Sequence, residues 1–270
     1  MWWKLLILIP IGLYVAIAAF MFFAQTRMLF PAAQVAPAGP PPPGSEVLQL
    51  RAPSGETLAG LHIAPRAGGA DLLILGFAGN AWNAAAAAEY LHDLFPDAHV
   101  AAFHYRGYAP SGGAPGAEAM QRDSLLVHDF VKARLRPART VAIGLSIGSG
   151  VAPYLAAHRP LDGLILVTPF DSLAALSAGH YPWLPVRLLL RHRMEPAADL
   201  RGAPVRTAII AAQRDSLVLP PRTEALRRAA PNLVFDRTIA GAGHNDIYDR
   251  AEFREAAREA LDRVLAPSDA

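Results

Sequence analysis

Val141-Ala-Ile-Gly-Leu-Ser-Ile-Gly-Ser-Gly-Val151 is the stretch that decides the fold of this 270-residue chain. An apolar, strand-like run leads into Gly144-x-Ser146-x-Gly148, and small residues typical of a helix start follow it. This is the pattern of a nucleophile elbow, a sharp strand-to-helix turn that lifts a serine hydroxyl clear of a sheet. Glycines flank the serine because a Cβ there would collide with neighbouring backbone. The alternative is a glycine-rich turn without chemistry, so a catalytic interpretation requires partners elsewhere in the chain.

From Glu46 onward, short apolar runs alternate with longer helical patterns. The runs 47–50 and 58–63 are joined through Pro53-Ser-Gly55 and are expected to form an antiparallel pair. Six further runs have the continuous apolar character of strands buried on both faces of a parallel sheet. They are 71–75, 98–103, 140–143, 163–167, 207–211 and 234–239. Helical patterns cover 82–95, 117–135, 150–158, 173–190, 221–230 and 246–265. The alternation predicts an α/β fold, a doubly wound and mostly parallel sheet in one domain over residues 46–270.

The first 30 residues have the composition of a membrane anchor. An uninterrupted apolar segment covers residues 5–24, about the length that crosses a hydrocarbon core. A cleaved signal peptide is the alternative, although the apolar run continues beyond the usual length of such a segment. Lys4 and Arg27 lie on opposite sides of it, so the positive-inside rule only weakly favours a cytoplasmic N-terminus. The sequence therefore predicts a single-pass N-terminal anchor, with the rest of the chain on the periplasmic or exoplasmic side.

Residues 31–45 form a Pro-rich linker that includes Pro40-Pro-Pro-Pro43 and contains no charged residue before the domain begins. Such a composition forms an extended, semi-rigid spacer instead of a packed element. We therefore expect the linker to separate the anchor from the domain.

The charge and cysteine content exclude several functions. The formal net charge is only +2, which gives little reason to expect a nucleic-acid partner. The chain has no cysteine, so disulfides, thiolate metal sites and a cysteine nucleophile are excluded. We expect no metal and no other cofactor, and the oligomeric state stays open.

Two further polar residues follow predicted strands at the edge of the sheet where reactive groups collect. Ser146 follows the fifth apolar run, Asp215 follows the seventh, and His244 in Ala240-Gly-Ala-Gly-His244 follows the eighth. Individually, Asp215 would also suit a turn and His244 would also suit the start of the last helix. The order Ser, Asp, His is that of one known arrangement of catalytic triads, so we expect the three to act together.

Four stretches carry a resemblance to a known family. They are Gly76-Phe-Ala-Gly-Asn-Ala-Trp-Asn83, Tyr105-Arg-Gly-Tyr-Ala-Pro-Ser-Gly112, the elbow, and Gly241-Ala-Gly-His-Asn-Asp246. With them, nearly all of the chain after the anchor resembles the α/β-hydrolase superfamily, most closely its membrane-anchored serine hydrolases with an HGN-type oxyanion loop. Ala78 departs from the pattern, because that loop usually has a histidine there. Backbone N–H groups need no particular side chain, so this change leaves an oxyanion hole feasible.

The resemblance and the chemistry of the side chains imply a set of roles. Ser146 is the expected nucleophile, His244 the base and Asp215 the acid that orients the imidazole. The oxyanion is expected to be bound by the backbone N–H of Ile147 and by Asn80. Asp171 is an alternative acid, because some members of the family place their acid after the sixth strand.

Residues 171–198 are a candidate cap over the site. Trp183 and the leucines at 188–190 could contact an acyl chain there, although core packing of an ordinary crossover helix explains them equally well. The expected function is a membrane-anchored serine hydrolase that cleaves carboxylic esters or thioesters of a small or lipid-like acyl substrate. A peptidase or amidase of the same fold, and a non-catalytic scaffold that keeps the fold for binding, are the alternatives.

Overall fold

The structure, a computed structural model, describes residues 2–37, 39–66 and 71–267. Among these residues, eight strands form one sheet in the order β1-β2-β4-β3-β5-β6-β7-β8. The first two pairings, β1 with β2 and β2 with β4, are antiparallel, and all later pairings are parallel. The strands are β1 (Ser45–Arg51), β2 (Thr57–Ile63), β3 (Leu72–Phe77), β4 (His99–Phe103), β5 (Arg139–Leu145), β6 (Gly163–Val167), β7 (Thr207–Ala212) and β8 (Leu233–Ile239). The prediction of a mostly parallel sheet with an antiparallel start is confirmed.

Helices connect the strands and cover both faces of the sheet. Their bounds are α1 (Trp2–Leu29), α2 (Ala84–Leu94), α3 (Ala117–Leu135), α4 (Ala152–His158), α5 (Leu173–His180), α6 (Val186–Leu189), α7 (Pro196–Arg201), α8 (Pro220–Ala229) and α9 (Ala251–Leu265). Strand β3 illustrates the two-sided burial, since Leu73 and Leu75 belong to one core and Ile74 to the other, all at 0% exposure. Successive side chains of a strand point to opposite faces, so a continuous apolar run supplies both cores at once.

The chain changes direction within the sheet next to β3. It passes from β3 to β4 on one side and then returns to β5 on the other side of β3. In sheets of this kind, ligands bind beyond the carboxyl ends of the strands at such a reversal. The loop after β3, with Asn80, and the turn after β5, with Ser146, are therefore brought side by side.

Two regions that we expected to be single helices are interrupted. The stretch 173–190 is divided into α5 and α6, with Pro182 and Pro185 in the break. Proline has no N–H and clashes with the preceding turn, so these residues end the first helix. The stretch 246–265 begins with a short 3₁₀ turn, Ile247–Asp249, before α9 starts at Ala251. A short helix that we did not expect, α7, begins at the end of the cap segment and precedes β7.

The N-terminal helix packs directly against the domain. Helix α1 is apolar and long enough to cross a membrane by length and composition, with a mean hydropathy of 2.6 over its most apolar 18 residues. Its C-terminal end contacts the domain, and Phe30 is only 2% exposed within one of the two cores. Asn83, at the start of α2, donates its side-chain N–H to the Ala36 carbonyl at 3.0 Å. The linker that we expected to act as a spacer thus begins with residues that pack, since Ala32 and Val35 lie against the same core as Phe30.

Arg106 connects the turn after β4 to helix α3. Its Nε and Nη2 donate to the two carboxylate oxygens of Asp123 at 2.9 and 2.6 Å. Asp123 is only 5% exposed, and the two hydrogen bonds raise the pKa of Arg106 further above its ordinary value. A two-pronged pair of this kind fixes geometry as well as charge. We therefore assign Arg106 a structural role.

Substitution of Arg106 tests that role. Arg106→Met should lower the free energy of unfolding by about 3 kcal/mol, because Asp123 would be left as a buried carboxylate without its partner. Arg122→Met is the matched control, since Arg122 pairs with Glu118 at a site where both side chains are more than two-thirds exposed. That change should be within about 0.5 kcal/mol of the parent chain. Denaturant unfolding of the full chain in detergent measures both, and similar losses would contradict the assignment.

Candidate active site

The turn at Ser146 has the strained geometry that the glycine pattern predicts. Ser146 has a φ of +51°, a conformation that non-glycine residues seldom adopt. A Cβ at Gly144 would lie 2.6 Å from the Gly148 carbonyl oxygen, and a Cβ at Gly148 would overlap the Phe77 carbonyl oxygen at the end of β3. The Ser149 hydroxyl donates to the Ser146 carbonyl at 2.6 Å and holds the turn. The two glycines are therefore required by close contact with backbone.

The side chains of Ser146, His244 and Asp215 form a continuous chain of hydrogen bonds. The distance from Ser146 Oγ to His244 Nε2 is 2.8 Å, and that from His244 Nδ1 to Asp215 Oδ2 is 2.7 Å. His244 and Asp215 are each 7% exposed. Ionised carboxylates only accept, so the Nδ1 atom carries a proton and the Nε2 lone pair faces the serine hydroxyl. This arrangement can transfer a proton from the serine to the imidazole.

The Asp215 carboxylate is held by backbone groups as well as by the imidazole. Its Oδ1 accepts from the N–H groups of Leu217 at 2.9 Å and Val218 at 2.7 Å. These bonds fix the carboxylate in the loop after β7 and compensate its burial. Asp215 thus caps a turn, as the sequence allowed, and it also accepts a hydrogen bond from His244.

Asp171 and Asp246 make other contacts. The Asp171 Oδ2 accepts from Arg222 Nη1 at 3.2 Å, while burial raises the pKa of this carboxyl. Asp246 accepts from the Gly243 N–H at 2.5 Å and pairs with Arg250. His244 Nδ1 bonds to Asp215. Within the described residues, Asp171 and Asp246 therefore contact Arg222 and Arg250, and not the imidazole of His244.

Asn80 and Ile147 line the same cavity as Ser146 and His244. The side-chain amide of Asn80 is engaged elsewhere: its Nδ2 donates to the Leu29 carbonyl at 2.6 Å, and its Oδ1 accepts from the Tyr108 hydroxyl at 2.9 Å. The backbone N–H of Asn80 is therefore the group of this residue that we consider for binding an oxyanion. The Asn80 side chain therefore supports the shape of this loop.

Tyrosines of the turn after β4 support the loop after β3. The Tyr105 hydroxyl donates to the carbonyl of Ala78 at 2.8 Å, and the Tyr108 hydroxyl bonds to Asn80. Ala78 is 2% exposed, so the missing histidine leaves no opening there. Burial raises the pKa of both phenols, which keeps them protonated donors. The sequence places Tyr105 and Tyr108 in a turn that the resemblance implies is chiefly structural, and it does not indicate their partners in the loop after β3.

Two cavities adjoin the Ser146 hydroxyl. One, of about 470 Å³, has mainly apolar walls from α1, α5 and the loops after β6 and β7. The other, of about 570 Å³, is lined by Trp82, Asn245, Tyr248 and Asp249, and the sequence assigned a site role to none of these four. Burial raises the pKa of Tyr248 to about 12, so its hydroxyl stays neutral at physiological pH. The serine thus lies between two cavities whose walls are both more apolar than polar.

The fold is shared with solved enzymes. The esterase Pf2001 from Pyrococcus furiosus aligns over 85% of this chain and 96% of its own, with a TM-score of 0.66 and 17% identity. A membrane phospholipase A described as a bacterial virulence factor aligns over 98% of this chain and 97% of its own, with a TM-score of 0.63 and 15% identity. Together with the strand order and the turn at Ser146, these similarities identify the α/β-hydrolase fold.

Sequence comparison shows the protein family of the chain. The uncharacterized protein Rv2307c from Mycobacterium tuberculosis is 32% identical over 255 residues, which are 88% of this chain and 88% of that protein. The chain belongs to the same protein family as Rv2307c. Lysophosphatidylserine lipase ABHD12 from Danio rerio is 34% identical over 97 residues, 32% of this chain and only 25% of that lipase. No family model matches the chain.

The contact of Gly148 with β3 can be tested by stability alone. Gly148→Ala should lower the free energy of unfolding by about 2 kcal/mol, because the added methyl forces the turn away from the Phe77 carbonyl. Gly39→Ala is the control, since a Cβ at Gly39 meets no atom within 4 Å. Thermal unfolding of the full chain in detergent should show a lower midpoint for the first variant and an unchanged midpoint for the second. An unchanged midpoint for Gly148→Ala would contradict the contact.

Proposed function

We propose that this protein is a membrane-anchored serine hydrolase that cleaves carboxylic esters or thioesters of lipid-like acyl substrates. The observation that carries the proposal is the hydrogen-bonded series from Ser146 through His244 to Asp215. A serine hydroxyl is a poor nucleophile until a base takes its proton, and imidazole is the side chain best suited to that at neutral pH. The position of the serine between two cavities gives the two halves of an ester separate places to bind.

In the first half of the reaction, Ser146 Oγ attacks the acyl carbonyl carbon as His244 Nε2 takes the hydroxyl proton. Asp215 accepts the Nδ1 hydrogen bond throughout, which holds the correct tautomer and stabilises the imidazolium as it forms. His244 then gives the proton to the leaving alcohol or thiol as the bond from the carbonyl carbon breaks. The product of this step is an acyl-serine and a free leaving group.

The negative charge on the carbonyl oxygen needs donors at the moment of attack. We assign the backbone N–H groups of Ile147, at the start of the turn after Ser146, and of Asn80, in the loop after β3. Loss of one such donor typically raises a barrier by about 3 kcal/mol, so the position of this loop matters to the rate. The hydrogen bonds from Tyr105 and Tyr108 support that position.

In the second half, a water molecule attacks the acyl-serine. His244 takes a proton from the water and returns it to Ser146 Oγ, which leaves with the electrons of the broken ester bond. The free enzyme and a carboxylic acid result. His244 thus acts as base and as acid in each half, and Asp215 stays ionised.

The preference for a lipid-like ester over a peptide rests on the cavity walls and on relatives. Phe170, Leu173 and Leu176 give the cavity of about 470 Å³ an apolar surface, and apolar walls favour an acyl chain over a peptide backbone. ABHD12 is named a lysophosphatidylserine lipase, and one solved structure of the same fold is a membrane phospholipase A. Helix α1 as a membrane anchor would raise the local concentration of such substrates.

A fluorophosphonate probe tests whether Ser146 is an activated nucleophile. The full-length protein in detergent should be labelled on Ser146, because the probe reacts only with serines activated by a base. Ser146→Ala should abolish labelling, whereas Ser216→Ala, which removes an exposed serine beside Asp215, should retain it. Mass spectrometry of the labelled peptide identifies the site. A folded parent protein that stays unlabelled would favour the non-catalytic scaffold.

Turnover of a soluble short-chain ester tests the assignment of the acid. Asp215→Asn should lower kcat about 10⁴-fold, because an amide favours the wrong tautomer of His244. Asp171→Asn is the matched control, and its loss should stay below about tenfold, since that side chain pairs with Arg222. Equal or reversed losses would overturn the assignment of Asp215.

A further inference from the structure

The C-terminal half of α1 runs along the cap segment, residues 171–198. Gln25 is buried and bonded to it twice, donating to the Leu189 carbonyl at 3.2 Å and accepting from the Arg191 N–H at 2.7 Å. Farther along the helix, the Tyr14 hydroxyl donates to the Trp183 carbonyl at 3.1 Å. Tyr14 and Leu29 are 15 residues apart, or about 22 Å along the axis. The cap therefore extends along more than half of the apolar helix.

The length of α1 places part of the cap at the depth of the hydrocarbon. Residues 4–17 are all exposed and account for only about 21 Å of helix. A bilayer core is about 30 Å thick, so roughly six more residues are needed, which reaches Phe23. Phe20 and Phe23 are 69% and 76% exposed, as lipid-facing residues would be. Over these same residues the other side of α1 already packs on the cap.

The cap carries the surface that such a depth requires. Trp183 is 49% exposed and Leu188 is 85% exposed, at the end of the cap beside α1. Exposed arginines at 187, 191 and 193 lie along the same segment, and Arg191 also stacks over the Phe22 ring at 5.0 Å. Large apolar side chains with neighbouring cations are typical of segments that enter the interface of a bilayer with anionic lipids.

A cavity of about 160 Å³ lies between α1 and the cap, next to the apolar cavity at Ser146. Met21 lines it from α1 and Leu189 lines it from the cap. It shares four lining residues with the apolar cavity at Ser146, and these residues are Met28, Leu29, Ser177 and Tyr181. The two cavities therefore adjoin, and their common wall is made by the end of α1, by α5 and by Tyr181 just after it.

We propose that these adjoining cavities form a lateral access channel, through which the acyl chain of a bilayer-resident lipid ester reaches Ser146 between α1 and the cap. The channel rests on the proposed hydrolase function and specifies its substrate as a lipid taken from the membrane. Its apolar walls match an acyl chain, and its outer end opens where the hydrocarbon lies. The arginines of the cap are placed for the phosphate of the lipid headgroup, which stays at the interface. Helix α1 is then one wall of the substrate site as well as an anchor.

The test compares two substrates with the full-length protein in phosphatidylcholine vesicles. One substrate is a fluorogenic palmitoyl ester held in the bilayer, and the other is the water-soluble p-nitrophenyl butyrate. Met21→Trp and Leu189→Trp fill the outer cavity from its two walls, so one variant remains informative if the other folds poorly. Each should lower the ratio of palmitoyl to butyrate turnover by about tenfold or more, since a blocked apolar contact discriminates on that scale.

Phe20→Trp is the control, because it adds an indole on the lipid-facing side of the neighbouring position. Its ratio should stay within about twofold of the parent ratio. If Met21→Trp and Leu189→Trp also keep the parent ratio while the protein cleaves both esters, the channel is wrong and the hydrolase stands. A folded parent protein that cleaves neither ester would overturn the proposed function itself.

Discussion

The close contact between the backbone at Gly148 and the carbonyl of Phe77 is the constraint on which the candidate site depends. It brings the turn after β5 against the end of β3 with no side chain between them. Ser146 is held at a positive φ there, a conformation that costs on the order of 1–3 kcal/mol and persists only when its surroundings enforce it. The neighbouring strands, each buried on both faces, supply that enforcement. As a result the hydroxyl is displayed beside the loop that carries Asn80.

Buried charge explains why the carboxylates near the carboxyl edge of the sheet have different surroundings. A carboxylate at 7% exposure is tolerated only when its lone pairs are used. Asp215 accepts from two backbone N–H groups and from His244, so its charge is fixed without a cationic side chain. Asp171 instead has Arg222, a full cation that offsets its charge. A carboxylate whose charge is offset by a guanidinium stabilises a nearby imidazolium less. This physical difference distinguishes Asp215 from Asp171.

The sequence was informative wherever a local rule acts on consecutive residues. Continuous apolar runs predicted β3 to β8, and the Gly-x-Ser-x-Gly spacing predicted a strained turn at Ser146, because backbone sterics leave few alternatives. The break between α5 and α6 could have been predicted from Pro182 and Pro185. The partners of Asn80 could not be predicted, since Leu29 and Tyr108 are 51 and 28 residues away. Packing of an apolar helix has no sequence signature that distinguishes lipid from protein neighbours, so the contact of α1 with the cap was also missed.

The end of α1 is joined to the loop after β3 by a side-chain hydrogen bond. The last four carbonyls of a helix lack partners within it, and that of Leu29 is bonded by the Asn80 side chain. Tyr108 fixes the other end of the same amide, so the series runs from α1 through the loop to the turn after β4. A partly buried carbonyl left unpaired costs about 1–3 kcal/mol. The hydrogen bond from Asn80 therefore stabilises the observed arrangement of the helix and the loop together. Because that loop also carries the N–H of Asn80, displacement of α1 would act on the geometry around Ser146, and α1 and the site form one structural unit.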